Sequence, residues 1–255
     1  MIKKAIKIPL IALFWIGLWQ VVALLVGNAL LFPSPFDVIV RLGQLIVTEN
    51  FVLSVLASLT RVTIGIVTAT VLGVLLAILC VRFNVIYELI YPMITVIKAT
   101  PVASFIVLVL LFIGSDVVPT FITVLMVLPI VWTNVYKGIK CISNELSEVC
   151  KVYSIPFFKR MKALYFPSVS PYFTSALVSG IGLGWKAGIA AEVLCSPVKS
   201  IGRNLLDAKI YINTADMFAW TLTVIILSLV LELIVAKVLK KLLGRYSYTE
   251  GNNES

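Results

Sequence analysis

Catalysis and metal binding need side chains that move protons, attack, or ligate, arranged to converge on one point. This sequence offers few. It contains no His, which removes the commonest proton shuttle and zinc ligand. Cys80, Cys141, Cys150 and Cys195 follow no CxxC or other ligand spacing, so neither a metal site nor a disulfide framework is expected. No GxxxxGK[ST] segment occurs, and with it goes the backbone cradle and Lys that hold ATP phosphates. The residues that draw notice are ionisable groups inside apolar stretches, since a charge in hydrocarbon is costly and must face protein or water. Lys186, Glu192 and Lys98 are the candidates for a solute path. Lys186 either attracts an anionic solute or pairs with an Asp or Glu of another span. Positions 186 and 192 fall on different faces of a helix, so Lys186 and Glu192 each need a separate partner. Lys98, beside Pro101, has the same two readings, and a third in which its stem snorkels to the interface. Glu232 is expected near Lys237 or another cation.

The elements that must position these groups are membrane spans. Hydrophobic residues make up 60% of the 255-residue chain and charged ones 13%, with a mean hydropathy of +1.07. That composition belongs to a chain solvated by lipid rather than by water. The apolar stretches approach the ~20 residues that cross a bilayer, and they predict an all-α, polytopic membrane protein with about six transmembrane helices. The expected spans are 8–26, 57–81, 99–114, 117–137, 171–195 and 217–240. The first follows a basic start but is too long, and too poor in small residues at its end, for a cleaved signal peptide. The third is interrupted by Pro92 and Pro101, and a broken helix is tolerated only against protein or a cavity. Gly180, Gly184 and Gly188 recur at one-turn spacing and present a face for close helix packing. A dinucleotide reading of these glycines fails, because no strand precedes them.

The net charge of +9 forms no continuous basic patch of the kind that binds nucleic acid. Its Lys and Arg lie between the spans. Six crossings place both termini and the 138–170 loop on the side rich in Lys and Arg, and the positive-inside rule makes that side the cytoplasm of a cell membrane. Within this loop, Ser143 to Val152 reads as a short helix with Ser143 as N-cap and Glu145 and Glu148 near its start. Leu146, Val149, Cys150 and Tyr153 form an apolar stripe on it, to be buried on another protein or on the headgroups. Residues 1–245 are expected to make a single transmembrane domain, and 246–255 a polar tail expected to be disordered.

Glu148-Val149-Cys150, then Ser154 after three residues, then Leu164-Tyr165-Phe166-Pro167 after nine more, resembles the EAA motif of permeases of binding-protein-dependent ABC importers. Glu148 and Pro167 match that motif, whereas Val149, Cys150, Ser154, Leu164 and Phe166 depart from it. Ser154 stands where the motif has Gly; Gly permits positive φ at low cost and Ser does not, and a turn is still expected there, with Pro156 bending the chain. Leu31-Phe32-Pro33-Ser34-Pro35, the segment from Pro92 to Phe112-Ile113-Gly114, and Ala190-Ala191-Glu192 resemble the nitrate, sulfonate and taurine branch. The resemblance implies a dimeric type I importer permease with a cytoplasmic coupling helix. Its implied partners are a second permease subunit, a cytoplasmic ATPase, an extracytoplasmic solute-binding protein and membrane lipid. Glu148, Val149, Cys150, Ser154, Leu164 and Pro167 would then couple to the ATPase, with Pro167 ending the segment before span five. The chain itself would be no enzyme and hold no cofactor, ATP being bound by its partner. The solute implied is a small organic or inorganic anion or a vitamin-precursor-like compound. An ATP-independent secondary transporter or channel is the alternative; it would need coupling carboxylates or a selectivity constriction within the spans, and the sequence is poor in both.

Overall fold

A computed structural model describes residues 2–243, and among these every regular element is helical. In order they are α1 (Ile2–Val26), α2 (Pro35–Ile46), α3 (Glu49–Arg82), α4 (Asn84–Ala99), α5 (Val102–Leu110), α6 (Val118–Lys140), α7 (Asn144–Val152) and α8 (Phe157–Arg160). A π-helical turn, Met161–Tyr165, leads into α9 (Phe166–Cys195), and α10 (Ile201–Ile210) and α11 (Thr214–Leu243) follow. The polar tail 246–255 lies outside the described residues. Five segments, in α1, α3, α6, α8–α9 and α11, are long and apolar enough to cross a membrane, and α4 with α5 makes a sixth if that bent pair is one span.

The core is a three-helix contact of α3, α6 and α9, made close by small residues. Gly65 of α3 faces Thr120 and Thr123 of α6, and Gly73 faces Val131 and Trp132. From the other side, Gly180 and Gly184 of α9 meet Val127, and Gly188 meets Val62 and Thr123. Such contacts suit a membrane interior, where association rests on van der Waals packing rather than on expulsion of water. Toward one end Trp132 stacks with Tyr87 and Tyr136, and Lys140 stands over the Tyr136 ring. Toward the other, Val62, Trp185, Ile201 and Trp220 form a second apolar cluster, with Trp185 Nε1 donating to the Val224 carbonyl at 3.1 Å. Helix α1 joins the rest through Trp19, which donates to the Pro33 carbonyl at 3.1 Å and lies against Phe32 and Phe218.

The third crossing begins earlier than the 99–114 expected, and it is broken at one of the two prolines rather than at both. Helix α4 runs through Pro92 without breaking, and the break falls at Thr100–Pro101, where α4 and α5 meet at 103°. Pro101 disfavours the helical conformation at the preceding residue, and Thr100 is extended at φ −77° and ψ 130°. The Thr100 N–H and hydroxyl both return to the Val96 carbonyl, at 3.0 and 2.8 Å, which satisfies the broken end. The fifth span also begins earlier than 171, because the chain is helical from Phe157 onward. Pro167 therefore does not end a segment. It lies in the first turn of α9, where the π turn, closed by Phe166 N–H to Met161 O, leads into it. A regular turn would drive the proline ring into the carbonyl four residues back, and the wider turn avoids this. Two short helices, α2 and α10, were not anticipated.

A methyl group on Gly65 would stand 2.7 Å from Thr123 Cβ and 2.9 Å from the Thr120 carbonyl oxygen. Overpacking of this kind costs about 1–3 kcal/mol, so Gly65→Ala should lower the thermal midpoint of the detergent-solubilised protein by about 2–10 °C. Gly43→Ala, in α2 with open space around it, should leave the midpoint unchanged or raise it.

Candidate functional site

Three groups of residues carry features beyond packing, at the two ends of the bundle and in its middle. At the basic end, the Ser143 hydroxyl accepts from the Leu146 N–H at 3.3 Å and caps α7. The far end of α7 closes with the Ile155 N–H on the Cys150 carbonyl at 3.0 Å, the long bond of a Schellman turn. That turn requires a left-handed residue, and Ser154 supplies it at φ 47°. Beyond it Pro156 is N-cap of α8. Leu146, Val149, Val152, Tyr153, Phe157 and Phe158 are all exposed, Phe158 at 85%; Glu148 is exposed beside them and Cys150 half-buried, while Leu164 turns inward. Arg160 bonds the Tyr165 hydroxyl at 2.7 Å across the π turn.

At the opposite end Glu192 is 0% exposed. Its Oε2 accepts from the Ser58 hydroxyl at 2.6 Å and from the Gly202 N–H at 3.2 Å, and its Oε1 from Arg61 Nη1 at 3.4 Å. Ser58 in turn accepts from the Ile201 N–H at 3.0 Å. Glu192 and Ser58 thus hold the first N–H groups of α10, which have no partners within the helix, and a carboxylate is favoured there by the helix dipole. Arg61 continues outward to Asp116 at 3.1 Å and to the carbonyls of Val198 and Lys199. One network therefore joins α3, the α5–α6 turn, α9 and α10. Gly202 makes the fit geometrically required: a Cβ there would lie 2.4 Å from Glu192 Cβ and 2.4 Å from Val193 N. Nearby, Arg41 of α2 pairs with Asp216 of α11, and this hydrogen bond raises the guanidinium pKa above its usual value.

Between these ends lie Lys98, Lys186 and Glu232. The Lys98 amine donates to Thr133 Oγ1 at 2.8 Å, one turn of α6 from Lys137. Lys186 is exposed in mid-α9, and among the described residues it has no ion pair within 4.0 Å. Glu232 is half-buried and makes no ion pair with Lys237 among the described residues, contrary to expectation. Its carboxylate accepts from Ser228 at 3.4 Å and lies over Gly182 of α9.

Residues 69–245 match the family described as "Binding-protein-dependent transport system inner membrane component". The chain belongs to this family. It is the membrane-spanning permease of an ABC importer. The permease is 28% identical over 201 residues to the nitrate import permease NrtB of Synechocystis sp., covering 74% of this chain and 72% of that protein. It is 23% identical over 240 residues to SsuC of Bacillus subtilis, a putative aliphatic sulfonates transport permease, covering 92% and 86%. Similarity extends to ThiX of Halalkalibacterium halodurans, a formylaminopyrimidine transport permease, at 26% identity over 178 residues, 68% of this chain and 70% of the relative. These relatives are transport permeases, not enzymes.

The EAA-like residues of the permease occupy one turn and its flanks, from Glu148 to Pro167, whereas Lys186, Glu192 and Lys98 are not brought together. Glu192 serves the network at the end opposite α7, with its carboxylate closed to solvent in this conformation. Sequence reasoning missed Ser58, Arg61, Asp116 and Gly202. The available signal was Ser58 and Arg61 one turn apart within an otherwise apolar helix, since buried polar groups need partners.

At Ser154, Gly should match or exceed the wild-type stability, because a left-handed non-Gly residue costs about 1–2 kcal/mol. Ser154→Val should destabilise the turn, detectable as faster proteolysis between α7 and α8 in the intact protein. For the Glu192 network, Ser58→Ala leaves a buried carboxylate short of a donor, and the expected loss is about 1–3 kcal/mol. Midpoint measurements on Ser58→Ala and Gly202→Ala should both show falls; unchanged values would mean that α10 is held by other contacts.

Proposed function

We propose that two copies of this permease form an import path for a small anion, driven by a separate cytoplasmic ATPase that docks on the α7–α8 turn. The observation that carries the ATPase contact is the exposed apolar surface of Leu146, Val149, Val152, Tyr153, Phe157 and Phe158 on a turn built with polar caps. An apolar surface of this kind beside charged groups is characteristic of a protein contact. A short capped helix can move as a rigid body between two positions, which coupling requires. In this role Glu148 makes the polar contact and Val149 and Cys150 pack into a cleft of the ATPase, with Ser154 setting the turn and Leu164 and Pro167 anchoring it to α9.

Both termini and the 138–170 loop face the cytoplasm, in keeping with the positive-inside rule, and the outer end receives a solute-binding protein. Residues 1–245 act as one permease domain in the cell membrane. The subunit catalyses nothing and binds no cofactor, since ATP is hydrolysed by the partner. An anionic solute, nitrate- or sulfonate-like, is supported by the similarity to NrtB and SsuC. Lys98 and Lys186 are exposed, and as cations on membrane helices they suit a watered path rather than lipid.

Purification of the tagged chain in mild detergent tests this reading. An ATPase at equal stoichiometry is expected, and Glu148→Arg should weaken its retention by at least about tenfold while membrane insertion is unchanged. Normal retention and transport in Glu148→Arg would remove the coupling assignment. A wild-type chain that purifies alone and transports without ATP would remove the importer reading.

A further inference from the structure

We propose that Lys186 and Glu232 form a neutralising couple in mid-membrane, which an anionic solute opens by taking the carboxylate's place beside Lys186. The inference rests on the permease reading and identifies Glu232 as its selectivity partner. Glu232 is brought to α9 by Gly182: an ideal Cβ at that position would lie 2.7 Å from Glu232 Oε1. Lys186 is one turn further along the same helix, and helical side chains lean back toward the N-terminus. On that rule the Lys186 stem is directed toward the turn that Glu232 covers. The amine and the carboxylate are nonetheless more than 4.0 Å apart, since no ion pair joins them.

Other charges along the spans are already engaged. Glu192 and Arg61 satisfy each other at the outer end, and Lys98 is bonded to Thr133 toward the basic end. Among the described residues the Glu232 carboxylate has the long Ser228 contact as its one hydrogen bond, and the Lys186 amine has no hydrogen bond or ion pair. Two opposite charges on packed neighbouring helices, one exposed and one half-buried, attract each other more strongly than in bulk water. A side-chain rotation closes the couple and leaves the path electrically neutral when empty. A small monoanion entering beside Lys186 competes with Glu232 for the same amine. Neutralising or displacing the carboxylate removes the competitor and should tighten anion binding, while removing the amine should abolish it.

Two measurements on the detergent-purified complex with its co-purifying ATPase test the couple. In a thermal-unfolding cycle, Lys186→Met and Glu232→Gln should each lower the midpoint by about 2–4 °C, and the double variant should lie nearer to wild type than either. Losses that simply add would overturn the couple. The midpoint is then titrated with sodium nitrate and with sodium methanesulfonate against sodium chloride at equal ionic strength. Glu232→Gln should respond at roughly tenfold lower anion than wild type, and Lys186→Met should show no specific response. Gly182→Ala keeps both charges but pushes the carboxylate away, and its response should move in the direction of Glu232→Gln. Identical responses in wild type and Glu232→Gln, a response that survives Lys186→Met, or no response to either anion in Glu232→Gln would overturn the proposal. ATP-driven uptake in liposomes reads the permease function separately: its absence, with the cycle and titrations as expected, would sink the importer reading and leave the couple standing.

Discussion

Every polar group that this chain carries into hydrocarbon has to find its partner within protein or water, because lipid tails offer none. That constraint explains the shape of the bundle more directly than apolar burial does. The Thr100 N–H and hydroxyl fold back onto Val96 at the α4–α5 break. The Thr133 hydroxyl donates to the Pro129 carbonyl at 2.6 Å, and the Ser170 hydroxyl to the Pro167 carbonyl at 3.2 Å. The second of these covers a carbonyl that Pro171, lacking an N–H, cannot engage. Proline can thus stand inside α4, α6 and α9 without stopping them, while Pro101 does stop its helix because the chain there changes direction.

The same constraint distinguishes the charges. Glu192 is fully enclosed and tolerable because three donors converge on it, so its cost of burial is offset by organising the start of α10. Lys186 and Glu232 have no comparable set of partners, and their position is stable only if they neutralise each other or meet water. Burial and hydrogen bonding thus agree in separating the enclosed Glu192 from the exposed Lys186 and the half-buried Glu232, and it is the latter two that are free to take part in the proposed solute path.

How much of this is legible in the sequence follows from the range of the signals. The apolar stretches gave five of the spans to within a few residues at most of their ends, because the bilayer length they must match is a local property. The α7 cap and the turn at Ser154 were legible for the same reason: Ser143, the stripe through Val149 and Pro156 act over a few residues. Ser154 itself could be read only as a departure from a glycine position, and its left-handed backbone at φ 47° shows that the Schellman hydrogen bond overrides the side-chain preference. What could not be read was long-range. Ser58 meets Glu192 across 134 positions, and Glu232 meets Gly182 across two helices, and no periodicity encodes such pairings. The α4–α5 geometry fell between these cases, since two prolines were visible but only the one followed by a change of direction broke the helix.

Continuity of the chain from Phe157 to Cys195 joins these regions mechanically. At 1.5 Å per residue this 39-residue helical segment is about 58 Å long. It begins at the exposed apolar turn, carries Gly182 and Lys186 in its second half, and ends one turn beyond Glu192. A displacement of α7 and α8 in the proposed assembly therefore need not pass through many flexible contacts to reach the outer network; it is carried by one rod. The π turn at Met161–Tyr165 is the one irregular segment along it, and π segments commonly accompany functional sites. In the proposed assembly its position, between the docking turn and the glycine-packed core, would let the turn adjust while the part of α9 held by Val127, Thr123 and Val62 moved as a unit. If the coupling proposed above operates, tight packing at the glycines is as necessary to it as the exposed surface at the end, because a loosely held rod would bend where it should transmit.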